Sequence, residues 1–174
     1  ALVLCPTREL SEQVSKEMRK LARLMPNVKI TTLCGGSPMQ SQVASLKNVV
    51  HCVVGTPGRV MDHIRRNTMY LDCLETLVFD EADCMLEMGF LNDMTEIVSC
   101  TPPTRQTLLF SATYPENIQS LSKSFQKNAL LVKADTDHAS LSIDHLFFEK
   151  DSEHDLPLLN SILTHYKPAS TLIF

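Results

Sequence analysis

The sequence contains no tryptophan, and aromatic residues make up only 6% of its 174 positions. No apolar run approaches the roughly 18 residues that a membrane-spanning helix needs, so no membrane association is expected. No basic stretch leads into an apolar segment at the N-terminus, which argues against a secretory signal. The six cysteines, at positions 5, 34, 52, 73, 84 and 100, include no C-x-x-C pair and have wide, irregular gaps. That spacing predicts free thiols in a reducing, cytoplasmic setting, without disulfides or zinc. No pair of the six histidines has ligand spacing close to a cysteine, so no structural metal is expected. There is no initiator Met: the chain starts inside the apolar run Ala1–Cys5 and stops inside another, Thr171–Phe174. Both features predict a piece of a longer sequence.

What is present is an ordinary globular composition, with 44% hydrophobic and 21% charged residues. The length suits one α/β domain with some chain to spare; a monomer is the default expectation. The net charge of −4 is unevenly spread. Residues 1–66 carry ten Lys+Arg against four Asp+Glu, and the remainder six against sixteen. An excess of positive charge in the first part prompts a search there for a polyanion site. Solvated helix faces are the plainer explanation, and Lys16, Arg19, Lys20 and Arg23 share helical spacing.

Short β-rich apolar runs alternate with segments of helical period. Strands are predicted at Leu2–Cys5, Lys29–Leu33, Cys52–Gly55, Thr76–Phe79, Thr107–Phe110 and Leu130–Lys133. Helices are predicted at Glu9–Met25, Met39–Leu46, Gly58–Arg66, Phe90–Ser99 and Glu116–Phe125. Several strands read as continuous apolar runs, which fits burial on both faces. Helices alternating with such strands imply an α/β fold with a parallel sheet and right-handed crossovers. The pattern loosens over residues 135–142, a predicted linker between residues 1–134 and 143–174. Beyond it, Ile143–Glu149 reads as a strand, Leu156–His165 as a helix and Thr171–Phe174 as a strand.

In open parallel sheets, ligands bind beyond the carboxyl ends of the strands. The first strand is followed by Pro6-Thr7-Arg8. Thr7 can cap a helix whose free N–H groups suit a phosphate, and Arg8 adds a forked donor. Plain capping with Arg8 in an ion pair is equally good. The second strand is followed by Gly35-Gly36, which permits a close approach to the backbone or a simple turn. The third leads to Thr56-Pro57-Gly58-Arg59 and repeats the first design. Two such sites and a Gly pair in the basic part favour a groove that tracks phosphates without reading bases. The fourth strand delivers Asp80-Glu81-Ala82-Asp83. This is a Walker B arrangement: the first carboxylate can hold Mg²⁺, the second can orient or deprotonate a water. An acidic helix start is the alternative. The fifth leads to Ser111-Ala112-Thr113, whose hydroxyls can bond a neighbouring carboxylate or simply form a turn.

In this order the five elements resemble the DEAD-box RNA helicase family. P-T-R-E-L at 6–10 is similar to its motif Ia, G-G at 35–36 to its paired-glycine motif and T-P-G-R at 56–59 to its motif Ib. D-E-A-D at 80–83 resembles motif II and S-A-T at 111–113 motif III, with M-G-F at 88–90 and R-Q-T at 105–107 as agreeing flanks. Within the family, A-L-V-L-C-P-T-R-E-L, T-L-C-G-G and R-Q-T-L-L-F-S-A-T look most like the bacterial DbpA type, which implies a link to ribosomal RNA. The resemblance implies an incomplete N-terminal RecA-like domain and the first elements of a second. It implies ATP and Mg²⁺ as ligands: Asp80 would serve the metal, through water, and Glu81 the hydrolytic water. Asp83, Ser111 and Thr113 would couple nucleotide state to RNA. Pro6, Thr7, Arg8, Gly35, Gly36, Thr56, Pro57, Gly58 and Arg59 would meet the RNA sugar-phosphate backbone. The implied activity is RNA-stimulated ATP hydrolysis coupled to local duplex unwinding. The five glycines (35, 36, 55, 58 and 89) start no G-x-x-x-x-G-K-[ST] loop, and the adenine-reading Q motif is missing. These residues alone are therefore expected to be inactive as an ATPase, which leaves a non-catalytic RNA-backbone binding module as the alternative.

Overall fold

The computed structural model describes residues 1–134, 144, 146–149 and 155–173. Five strands form one parallel sheet: β1 (Leu2–Leu4), β2 (Ile30–Leu33), β3 (Cys52–Gly55), β4 (Thr76–Phe79) and β5 (Gln106–Leu109), in the spatial order β2-β3-β1-β4-β5. Each is three or four residues long, and of the three inner strands β1 and β3 are buried throughout. Their unbroken apolar sequence follows from helices covering both faces. Alternate residues split between two cores. Leu2, Leu4, Val53, Leu77 and Phe79 face the larger one, and Val3, Cys5, Cys52 and Val54 the smaller.

Helix α1 (Arg8–Leu21) covers the smaller core with Leu10, Val14 and Met18, the residues that recur at helical spacing. It begins one residue earlier than predicted because the Thr7 hydroxyl accepts from the Leu10 amide at 3.2 Å. Its last stretch tightens into a 3₁₀ turn, Ala22–Leu24. Helix α2 (Met39–Leu46) follows β2. The larger core is filled from α3 (Pro57–Arg65) by Val60 and Met61, from α4 (Ala82–Glu87) by Met85, and from α5 (Leu91–Ser99) by Met94 and Ile97. Helix α6 (Glu116–Phe125) adds Ile118, Leu121 and Phe125, whose ring centroid lies 5.3 Å from that of Phe79. Each such fully buried side chain contributes about 1.5–3 kcal/mol.

In three predicted strands none of the described residues is in a strand. Leu130–Lys133 is irregular, with Leu130 87% exposed. Apolar sequence becomes strand only where a neighbouring edge offers matching N–H and C=O groups, and no described residue does so here. Thr171–Ile173 is irregular and exposed for the same reason, as are Asp144 and Leu146–Glu149. Ile143, His145, Phe174 and the predicted linker 135–142 lie outside the described residues. Helix α4 has no counterpart among the predicted elements, because the acidic stretch that opens it reads as a strand-end loop.

By its contacts the chain divides into Ala1–Leu131 and Val132–Phe174. The second unit contains α7 (Asp155–Tyr166), one residue longer at each end than the predicted helix. Its Tyr166 meets Phe148 edge-on, with centroids 6.2 Å apart.

Candidate functional site

Parallel register brings the strand ends to one level. Leu4 stands beside Gly55 and Phe79, Gly55 beside Leu33, and Phe79 beside Leu109. The main chain continues this ladder past the strands: Cys5 N donates to Gly55 O, Thr56 N to Leu33 O, and Asp80 N to Leu4 O. Every motif picked out in the sequence therefore leaves the sheet at the same edge.

Three of these exits interlock. Gly36 has φ +81°, and a β-carbon there would fall 2.4 Å from Arg8 Nη1, so the arginine lies directly on the glycine. Arg8 is otherwise loosely held, with a 3.9 Å ion pair to Glu9 and a side chain 55% exposed. Arg59 Nη1 donates to Ser37 O at 3.1 Å and to Gln42 Oε1 at 3.3 Å. Pro57 is the first residue of α3 and Thr56 its cap position, yet the Thr56 hydroxyl makes no cap bond. The two helix entrances are thus not the same design repeated. Gly55 is fixed by close approach, since a β-carbon would lie 2.4 Å from Leu33 O. At Gly35 a β-carbon would meet nothing within 4 Å, and at Gly58 only ordinary contacts at 3.7 Å or more. Among the described residues nothing requires glycine at either place.

The acidic exit is built differently. Asp80 makes no side-chain hydrogen bond or ion pair among the described residues. Glu81 holds left-handed backbone angles, φ 54° and ψ 55°, at the cap of α4. For a residue with a side chain this costs about 1–2 kcal/mol. The turn is pinned by Ala82 N donating to Phe110 O at 2.9 Å. Asp83 Oδ2 accepts from the Thr113 amide at 3.0 Å and hydroxyl at 2.8 Å, and Oδ1 from Cys84 N at 3.1 Å. Burial pushes the Asp83 carboxyl up, but the Thr113 hydroxyl and amide outweigh it and hold its pKa below the usual range. Ser111 Oγ is buried without a well-formed hydrogen bond among the described residues, yet it lies near enough to Asp83 to help lower its pKa, behind Thr113 and the Cys84 amide. Cys5, under the same edge, is no nucleophile: burial, with Asp80 nearby, pushes its thiol up to about 12.

Sequence reasoning missed Ser37, Gln42, Gly55 and His63. His63 could have been found, since it stands three residues after Val60 and so shares the apolar face of α3. Gln42 sends no comparable signal. Among the described residues no three His, Cys, Asp or Glu come together as metal ligands. A divalent ion here would rely on Asp80, on water and on oxygens brought by a ligand, which is how Mg²⁺ is commonly held.

Residues 1–121 match a family model described as DEAD/DEAH box helicase. The sequence is 48% identical over 174 residues to the ATP-dependent RNA helicase DbpA of Escherichia coli (strain K12), covering 100% of this chain and 38% of that protein. It is 42% identical over 176 residues to DbpA of Bacillus subtilis (strain 168), covering 100% and 36%. The chain thus spans little more than a third of these relatives. Among solved structures, a DEAD box protein from the hyperthermophile Methanococcus jannaschii superposes with a TM-score of 0.70 at 42% identity, covering 73% of this chain and 34% of that one. A hypothetical ATP-dependent RNA helicase from Sulfolobus tokodaii gives a TM-score of 0.68 at 41% identity, covering 73% and 38%.

Proposed function

The chain belongs to the DEAD/DEAH box helicase family, and we propose that it carries the acidic motif and the RNA-backbone face of an ATP-dependent RNA helicase. The observation that supports this best is the interlocking of three strand exits, with Arg8 lying on Gly36 and Arg59 bonded to Ser37 O. Guanidinium forks and helix N-terminal amides gathered at one edge suit successive phosphates. Pro6 and Pro57 set the entry of the chain, while the small residues there, above all Gly35 with open space beside it, leave room for a sugar-phosphate strand to meet Thr7, Thr56 and Gly58. Binding of this kind is salt-sensitive and indifferent to base sequence.

In the proposed reaction Asp80 would hold a Mg²⁺ ion through water, and Glu81 would orient or deprotonate the water that attacks the γ-phosphate of ATP. Bound Mg²⁺ would neutralise charge on the phosphate oxygens. The Asp83–Thr113 hydrogen bonds tie the acidic exit to the next one, so that a shift at Asp80 or Glu81 is passed on through β5; Ser111 sits beside this link. The reaction is RNA-stimulated hydrolysis coupled to local duplex separation. Resemblance to the DbpA type favours ribosomal RNA or ribosome assembly as the setting, in the cytoplasm, with the protein acting as a monomer. The division into a RecA-like domain over 1–134 and the start of a second over 143–174 belongs to the same proposal.

One observation favours a second reading for these 174 residues by themselves: they contain no G-x-x-x-x-G-K-[ST] loop. By themselves they would bind RNA backbone without turnover. The two readings separate in one experiment, binding of labelled single-stranded RNA across a salt series with and without ATP and Mg²⁺. In the full-length gene product we expect salt-sensitive binding that ATP strengthens and hydrolysis that Glu81→Gln abolishes. In the 174-residue chain we expect binding that ATP leaves unchanged. Absence of RNA binding at low salt in both would overturn the proposal, and turnover near wild type in Glu81→Gln would remove Glu81 from its role.

A further inference from the structure

We infer that Gln42, backed by His63, is a positioning residue that fixes Arg59 against the Gly35–Ser37 turn and so sets the spacing of the RNA-backbone contacts. The inference rests on the proposed RNA-binding role of this edge. Gln42 lies on α2, 5% exposed. Its Nε2 donates to Cys34 O at 2.8 Å, and its Oε1 accepts from Arg59 Nη1 at 3.3 Å and from His63 Nε2 at 3.0 Å. The same Arg59 Nη1 donates to Ser37 O. Cys34 precedes the glycine turn and Ser37 follows it, so both ends of the turn are tied through one amide and one guanidinium.

The amide has a single workable orientation. Reversed, its NH₂ would face the Arg59 donor and its oxygen the Cys34 carbonyl. His63 supports that orientation from behind. It is fully buried, and desolvation, with the nearby Arg59 charge, lowers its pKa and keeps the ring neutral. A neutral ring that donates from Nε2 to Gln42 accepts at Nδ1, where the Thr68 hydroxyl stands at 2.8 Å; that hydroxyl also lies 3.0 Å from the His63 carbonyl oxygen, so its one proton is shared between the two acceptors. Within His63–Gln42–Arg59 every polar atom in these bonds is thereby assigned a donor or acceptor role.

For packing alone an apolar residue would serve better at position 42, since a buried amide needs all its partners to avoid a penalty. The amide here converts a long, rotamer-rich arginine into a donor of fixed position. Arg59 Nη2 and Nε make no hydrogen bond among the described residues and remain available to a ligand. Arg8, by contrast, has no buried hydrogen-bond partner among the described residues and reaches its place by lying on Gly36.

A double-mutant cycle on the full-length gene product tests this, with binding of a labelled oligouridine measured across a salt series. Gln42→Leu should weaken binding about five- to tenfold and flatten the salt dependence by up to about one ion, because Arg59 leaves its phosphate. In an Arg59→Ala background the same substitution should cost less than about twofold, since its effect passes through Arg59. A merely structural role would lower the fraction of active molecules but leave the salt slope alone, with equal losses in both backgrounds; that result overturns the inference. So does Gln42→Leu binding as wild type while Arg59→Ala binds weakly, an outcome that leaves the RNA reading intact. If Arg59→Ala itself binds as wild type, the RNA role of Arg59 fails and the inference with it. Should Gln42→Leu not fold, the near-isosteric Gln42→Met carries the same cycle, and its effect must likewise vanish without Arg59.

Discussion

At the entrance to α1, the Thr7 side chain caps the helix and Arg8 lies half in solvent across Gly36. At the entrance to α3, the Thr56 hydroxyl caps nothing, Pro57 begins the helix, and Arg59 is bonded to Ser37 O and to buried Gln42. The residue types are nearly the same, and the strands before them run side by side. What differs is where the polar side chains spend their hydrogen bonds. The first entrance uses its threonine for the helix and leaves its arginine loose. The second leaves its threonine open and holds its arginine. A loose donor adapts to a ligand at an entropic cost, and a held one selects for spacing.

That contrast can be broken at several points. The largest effect is expected from Gly55→Ala, whose β-carbon would meet the Leu33 carbonyl oxygen at 2.4 Å. Backbone cannot yield there as a flexible side chain would, so chemical denaturation should show a loss of about 3 kcal/mol or more. The second entrance should distort while the first stands. Next come the arginines. Arg59→Lys should weaken RNA binding about tenfold, because one ammonium cannot reproduce the geometry of a fork bonded on one side and free on the other. Arg8→Lys should cost only about twofold; equal losses would show that the two arginines are held alike.

Smaller effects should divide the threonines. Thr7→Val removes a cap and should cost about 1 kcal/mol of stability. Thr56→Val should leave the urea midpoint unchanged but reduce RNA affinity. The smallest effect lies outside both entrances, at Asp83. Its folded pKa is depressed, so its hydrogen bonds to Thr113 and Cys84 add stability above the ordinary carboxyl pKa, and this is lost as pH falls through the folded value. Thr113→Val should shrink that acid-side loss, which stability measured from neutral pH down to about pH 3 would reveal.

The sequence made the sheet legible because β1, β3 and β4 are short apolar runs that end at chemistry-bearing residues, and strand ends are where an open parallel sheet puts its ligands. It did not reveal α4, because Ala82–Glu87 is only six residues long and starts within an acidic stretch, too short for Ala82, Met85 and Leu86 to read as a period. Nor could it rule out a strand at Leu130–Lys133, because apolar content says nothing of whether a free edge is near. At the site, Arg8, Gly36, Arg59, Asp83 and Thr113 were legible as types in sequence order. Their partners were not. Gln42 is hydrophilic in a helix with no strong stripe, and its burial depends on where β2 and α3 place Cys34, Arg59 and His63 around it. Gly35 and Gly36 look identical in sequence, and only the fold shows that one is held by Arg8 while the other faces open space.

The left-handed backbone at Glu81 sets stability and chemistry against each other at one position. Glycine would relieve the strain, and asparagine would tolerate it better than glutamate does. A library screened for heat resistance alone should therefore enrich Gly or Asn at 81 and discard the carboxylate on which the proposed hydrolysis depends. Stabilising this protein by directed evolution would need turnover in the selection from the first round.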